Sequence, residues 1–127
     1  MYELFNSNEQ FYSIPIENFQ RGTLDDEDFD PDMTIVLLEH KTNKPIAAFI
    51  ALNRAVNSYL KACIVDKTFR RKGIGTKMLN EIIERVQVKY PKISYMSYGD
   101  SVPNYFQPGV DFRHTDLFFF LRKNGFK

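Results

Sequence analysis

A run of strand formers that passes through a basic, glycine-bearing turn into an amphipathic helix leaves a chain few folds to choose from. Residues 59–90, YLKACIVDKTFRRKGIGTKMLNEIIERVQVKY, have that form. Residues 59–65 read as a strand. Beyond the turn, Met78, Leu79, Ile82, Ile83, Val86 and Tyr90 recur at steps of three and four, with Lys77, Asn80, Glu81, Glu84 and Arg85 opposite them. One stripe therefore packs and the other meets water, which predicts a helix over 75–89. Between strand and helix lies Arg70-Arg71-Lys72-Gly73-Ile74-Gly75. The first amides of a helix have no partner inside it, and the helix dipole favours negative charge there. Glycines let a backbone approach a phosphate closely, and the cations supply charge of the right sign. The junction is thus expected to bind an anion.

Two well-known phosphate motifs do not fit. A dinucleotide fingerprint needs a third glycine where Met78 stands, and a Walker loop needs Gly-Lys-Ser/Thr where Gly75-Thr76-Lys77 stands. The residues do resemble the acyl-CoA loop of the GNAT N-acyltransferase superfamily. That pattern is Val, four residues, Arg or Gln, two residues, Gly, one residue, then Gly or Ala. Here it is filled by Val65, Arg70, Gly73 and Gly75 without departure.

The rest of the chain is consistent with a single domain over 1–127. Apolar residues make up 43% and phenylalanine occurs twelve times, as in a chain that buries a core. A net charge of +1 gives no general attraction to nucleic acid or to a membrane surface, so phosphate binding has to be local. Cys63 is the one cysteine, which excludes an internal disulfide and a cysteine-only metal site; no metal is expected. The sequence shows no signal peptide and no apolar run long enough for a bilayer, so a soluble, cytoplasmic protein is expected.

In chain order, a short strand is expected over 10–14 and the start of a helix over 15–20. The acidic run of Asp25, Asp26, Glu27, Asp28, Asp30 and Asp32 reads as a solvated loop, or else as a negative rim for a cationic amine. Strands follow over 34–39, 46–52 and 59–65, with a turn around Asn43 and Pro45 and a polar connection over 53–58. Such short links predict an antiparallel meander. After the helix, Pro91 stops the pattern and 93–98 reads as a strand, parallel to 59–65 through a right-handed crossover. A turn-rich loop over 99–110, an N-cap at Asp111 and a helix over 112–123 complete the chain. The fold class is therefore α/β, with a mixed, mostly antiparallel sheet flanked by helices, which is also what the GNAT resemblance implies.

The resemblance further implies a role for each residue of the loop. Backbone amides from Arg71 through Lys72, Gly73, Ile74 and Gly75 would hold the CoA pyrophosphate, with Arg70 and Thr76 beside them. Backbone groups of Cys63, Ile64 and Val65 would pair with the pantetheine arm. The expected reaction is acetyl transfer from acetyl-CoA to a small-molecule or peptide amine, by direct attack in a ternary complex. The ending Arg122-Lys123-Asn124-Gly125-Phe126 is similar to the family's next conserved region, but Leu121 stands where a tyrosine acid is usual and His114 where an asparagine is common. Tyr98, Tyr105 and His114 are the other candidates for the acid. The family also carries two more strands beyond Gly-Phe, whereas this sequence ends at Lys127. Either the domain is shortened, or these residues are part of a longer protein, or a partner chain supplies the missing strands; pairing of the open edge as a homodimer is the expectation. The alternatives are a catalytically silent CoA-binding or protein-interaction module and a nucleotide-phosphate binder.

Overall fold

Short turns set the first half of the sheet. The computed structural model describes residues 3, 4, 7, 16–54, 57–98 and 115–126. In it β1 (Thr34–Leu38), β2 (Pro45–Arg54) and β3 (Asn57–Val65) form an antiparallel meander. α1 (Ile16–Gly22) precedes them, and α2 (Ile74–Lys89) leads from β3 to β4 (Tyr95–Tyr98). β4 returns parallel to β3, so the sheet order is β1-β2-β3-β4, and α3 (Thr115–Lys123) follows.

Several expected boundaries move for local reasons. Glu39 belongs to the first turn, because its carbonyl accepts from Asn43 N (2.8 Å) and its amide donates to Lys44 O (2.9 Å). The polar connection expected over 53–58 is instead hairpin, with Asn53 opposite Ser58 and Arg54 opposite Asn57. Polar side chains do not stop backbone pairing once two strands are antiparallel. β4 begins later than residue 93 because Ile93 N turns back to Tyr90 O (3.0 Å). The expected strand over 10–14, the loop over 99–110 and the cap at Asp111 lie outside the described residues.

β2 is buried almost throughout, as a central strand should be. Ala47, Phe49 and Ala51 join Leu60, Met33, Leu121 and the α2 residues Met78, Leu79, Ile82 and Val86 in one cluster. Ile46, Ala48, Ile50 and Leu52 are buried too and point the other way by strand alternation, so the sheet is covered on both faces. α1 buries Phe19 outside that cluster.

The solvated loop expected over 25–32 is instead tied down at both ends. Arg54 at the end of β2 donates through Nη2 to both oxygens of Asp26 (2.7 and 2.5 Å) and through Nε to Asp28 (2.5 Å). Asp30 accepts from Lys89 Nζ (2.6 Å) and Tyr90 OH (2.7 Å), and Lys89 also reaches Asp32 (3.1 Å). Carboxylates that find cations in this way are no longer a rim for a substrate. Asp25, Glu27 and Asp32 of the run stay exposed.

Candidate functional site

β3 has two neighbours along its first half and one along its second. Among the described residues it pairs with β4 from Asn57 opposite Tyr95 to Leu60 opposite Tyr98. Pairing with β2 continues to Val65 opposite Ala47. Over 61–65, therefore, no strand among the described residues lies on the β4 side. A free edge of amides and carbonyls is a template for another extended chain. Just past the last β3–β4 pair, the β2–β3 register jumps from Ala51 opposite Leu60 to Ile50 opposite Ala62. Lys61 is the extra residue, a β-bulge of the kind that re-aims a strand.

That edge runs directly into the basic turn. Asp66 N donates to Ile46 O (2.7 Å), which holds the end of β3 to β2. The Asp66 carboxylate accepts from Thr68 N (3.0 Å) and Thr68 Oγ1 (2.7 Å) and so starts a short 3-10 turn over Lys67–Phe69. Arg70 Nε then donates back to Val65 O (2.8 Å), so this arginine braces the turn against the strand. Arg71 (φ 65°) and Gly73 (φ 79°) both take left-handed backbone conformations. For Arg71 this is a strained choice, which functional turns hold and ordinary links avoid. Gly73 is the N-cap of α2 and has no side chain to offer the helix. The first amide bonded inside α2 is Lys77 N, to Gly73 O (3.1 Å). The amides of Ile74, Gly75 and Thr76 precede it and have no acceptor within the helix.

The two glycines differ in what they require. A β-carbon on Gly73 would meet nothing within 4 Å, so the residue is needed for its conformation, and the space before it is open. A β-carbon on Gly75 would come within 3.0 Å of the Phe120 ring, so Gly75 is needed by the packing of α3. Phe120 also lies edge-on to Phe49, with ring centroids 6.4 Å apart. Arg71 and Lys72 are exposed, and among the described residues no carboxylate pairs with either. The Lys72 ammonium rests 5.4 Å from the centre of the Phe69 ring. A strained turn, open space, amides without internal acceptors and unneutralised cations coincide at this one corner. Backbone donors and cations arranged in this way are able to receive an oxyanion.

Among the other residues singled out by sequence, Cys63 is half-buried, and burial pushes its thiol pKa up, with Arg70 opposing weakly. It is thus a poor nucleophile, and only its backbone is available to a ligand. Ile64 and Val65 are half-buried on the same edge. Tyr98 ends β4 at the last β3–β4 pair and packs on the core. Tyr105 and His114 lie outside the described residues. Leu121 is 4% exposed inside the core cluster and so contributes packing, not a proton. Three residues were not anticipated: Arg54, Lys61 and Phe120. The lysine interrupting the apolar run of β3 was the available sequence signal for Lys61.

Residues 1–97 match the sequence profile of the acetyltransferase (GNAT) family. The chain belongs to that family. Solved GNAT structures share its fold. An Elizabethkingia anophelis GNAT acetyltransferase with acetyl-CoA bound is 19% identical, with a TM-score of 0.53 over 71% of this chain and 52% of that one. A Streptococcus pneumoniae GNAT protein is 13% identical, with a TM-score of 0.52 over 74% and 59%. An aminoglycoside 6'-N-acetyltransferase of Acinetobacter haemolyticus is 15% identical, with a TM-score of 0.62 over 99% and 81%. The chain thus spans between half and three-fifths of the length of the first two. No curated protein matches its sequence. Among the described residues no group of three or more His, Cys, Asp or Glu is placed to hold a metal ion, and no helix is long and apolar enough to cross a membrane.

Proposed function

We propose that this GNAT protein is an acyl-CoA-dependent N-acyltransferase that moves an acetyl group from acetyl-CoA to an amine. The observation that carries the reading is the continuity of the β3 edge over 62–65, which has no described strand on its β4 side, with the basic, left-handed turn. Amides from Arg71 to Thr76 hold the pyrophosphate, and Arg71 and Lys72 add charge. Arg70 acts through its brace to Val65. The pantetheine arm lies along Val65, Ile64 and Cys63 as a substitute strand. Running back from Val65 to Lys61, a strand rises about 13 Å, so the acetyl end arrives near the bulge. The lone pair of the neutral amine attacks the thioester carbonyl, the carbon–sulfur bond breaks, the nitrogen gives up a proton to leave an amide, and the CoA thiolate takes one up. Alignment and a polarising backbone amide supply most of the acceleration. Tyr98, at the last described β3–β4 pair, is the candidate acid among the described residues, with Tyr105 and His114 as the sequence alternatives.

Small-molecule amines are the acceptor class favoured by the aminoglycoside acetyltransferases among the structural neighbours, and peptide amines are the alternative. A homodimer in the cytoplasm completes the proposal, because the outer edge of β4 has no described partner strand. Calorimetric titration with CoA, followed by thiol release from acetyl-CoA across a panel of amines, tests it. Absence of CoA binding would remove the reading. The second reading, a silent CoA-binding module, is favoured by the core position of Leu121. CoA binding with no thiol release for any amine would select it.

A further inference from the structure

α3 buries one side only. Leu121 lies in the core and Leu117 and Phe120 pack half-buried against it, while Phe118 and Phe119 are 47% and 66% exposed. Apolar side chains gathered in water mark surfaces that meet something. At 3.6 residues per turn, Phe118 and Arg122 fall on one flank of the buried side, and Phe119 and Lys123 on the other. The first pair is closed on itself, with the Arg122 guanidinium 5.9 Å from the centre of the Phe118 ring. The second pair is open. Phe119 meets Phe118 edge-on at 5.5 Å, and among the described residues no carboxylate is bonded to Lys123. Phe120 shows what this open flank borders, because its ring lies 3.0 Å from where a β-carbon on Gly75 would stand, in the first turn of α2. Lys123 and then Phe119 follow Phe120 around the helix, on the side away from Leu121. The open pair is therefore next to the corner where Arg71, Lys72 and the first amides of α2 gather.

We propose, resting on the acyl-CoA reading, that Phe119 and Lys123 seat the 3′-phosphorylated adenosine end of CoA. A CoA whose pyrophosphate is held at the turn sends out two arms, the pantetheine along β3 and the adenosine the other way. That second arm is a flat base beside a phosphate dianion. The open flank offers an exposed aromatic ring with a cation one turn on. Bases stack on phenylalanine through their π-faces, and a lysine ammonium meets a phosphate as a point charge. An acidic protein surface is a second class of partner for aromatic and cationic side chains. It would use both flanks of α3 alike, whereas only the open one adjoins the anion-receiving corner. The place of Lys123 in the last turn also suits the helix dipole. That role acts on stability and is blind to the choice between two ligands.

Calorimetric titration of the whole chain with CoA and with 3′-dephospho-CoA at low salt tests the seat. The wild type should bind CoA about fivefold more tightly than 3′-dephospho-CoA. Lys123→Ala should lose that preference by weakening CoA alone. Phe119→Ala should weaken both ligands about tenfold and keep the preference. Arg122→Ala, on the closed flank, should match the wild type. Tight and equal binding of the two ligands by the wild type would overturn the seat and leave the acyl-CoA reading standing. So would an intact preference in Lys123→Ala, or wild-type affinities in Phe119→Ala. A wild type that binds neither ligand removes the acyl-CoA reading and the seat with it. If a variant does not fold, competition for CoA binding to the wild type decides. Adenosine 3′,5′-bisphosphate should compete better than adenosine 5′-phosphate, and equal competition would overturn the seat.

Discussion

The two ends of α2 carry similar charges and opposite arrangements. At its C-terminal end, Lys89 and Tyr90 are bound to Asp30 and Asp32 from a segment far off in sequence. Its cation has been matched by the fold. At its N-terminal end, Arg71 and Lys72 lie beside three amides without internal acceptors, and no described carboxylate approaches. Among the described residues, carboxylates neutralise one end and not the other. Basic residues are common on surfaces, so their presence says little. What marks a site is positive charge that the fold gathers and leaves unmatched, next to backbone donors it also leaves unmatched.

The largest break in this comparison should come from Gly73. Gly73→Val puts a branched side chain at a left-handed position and into the open space. CoA affinity measured by calorimetry should fall by roughly two orders of magnitude, about 3 kcal/mol, with the circular dichroism of the fold preserved. Unchanged affinity in the folded variant would show that the N-terminal end is only a link. Gly75→Ala should act differently, through Phe120 at 3.0 Å. Overpacking there should cost about 1–3 kcal/mol of stability in denaturant. Shortening Phe120 to Leu in the same chain should recover part of it; no recovery would place the strain elsewhere.

The matched end should answer in stability and not in binding. Tyr90→Phe removes one hydrogen bond to Asp30, worth about 1 kcal/mol, and should leave CoA affinity as it was. The same bond carries a pH signature. Burial pushes the Asp30 pKa up, but hydrogen bonds from Lys89 and Tyr90 outweigh it and hold the carboxyl below the usual 3.8. A lowered carboxylate pKa gives stability that is fully present above the ordinary value and lost as pH falls through the lowered one. Tyr90→Phe should therefore flatten the loss of stability below about pH 4. An unaltered acid limb would mean that Tyr90 does not hold Asp30. The smallest effects belong to Arg71→Ala and Lys72→Ala. Each should weaken CoA binding about two- to threefold, less at high salt, because exposed charges are screened. A salt-independent loss from either one would mean a specific contact.

The sequence revealed most where the physics is local. Periodicity and glycine placement located α2 and the turn before it, because helix stripes and left-handed positions are decided within a few residues. The mixed sheet followed from the lengths of the connections. The fate of the acidic run was not legible: whether Asp26 is solvated depends on Arg54, which the fold of β2 brings to it. Gly75 fitted the anion motif on spacing alone, yet a phenylalanine from α3 supplies its reason. No reading of either neighbourhood by itself contains that contact.

The bulge at Lys61 also changes how β3 is to be counted. A regular strand sends every second side chain to one face. In β3, Leu60 belongs to the core beneath α2, and so do Cys63 and Val65, although Leu60 and Cys63 are three positions apart. The strand is written in two phases, with Lys61 as the inserted beat between them. Among the described residues only the first phase is paired with β4. One residue thus shifts the frame just past the last described β3–β4 pair, and pairing it in regular register would exchange the inner and outer faces of everything from Ala62 to Val65.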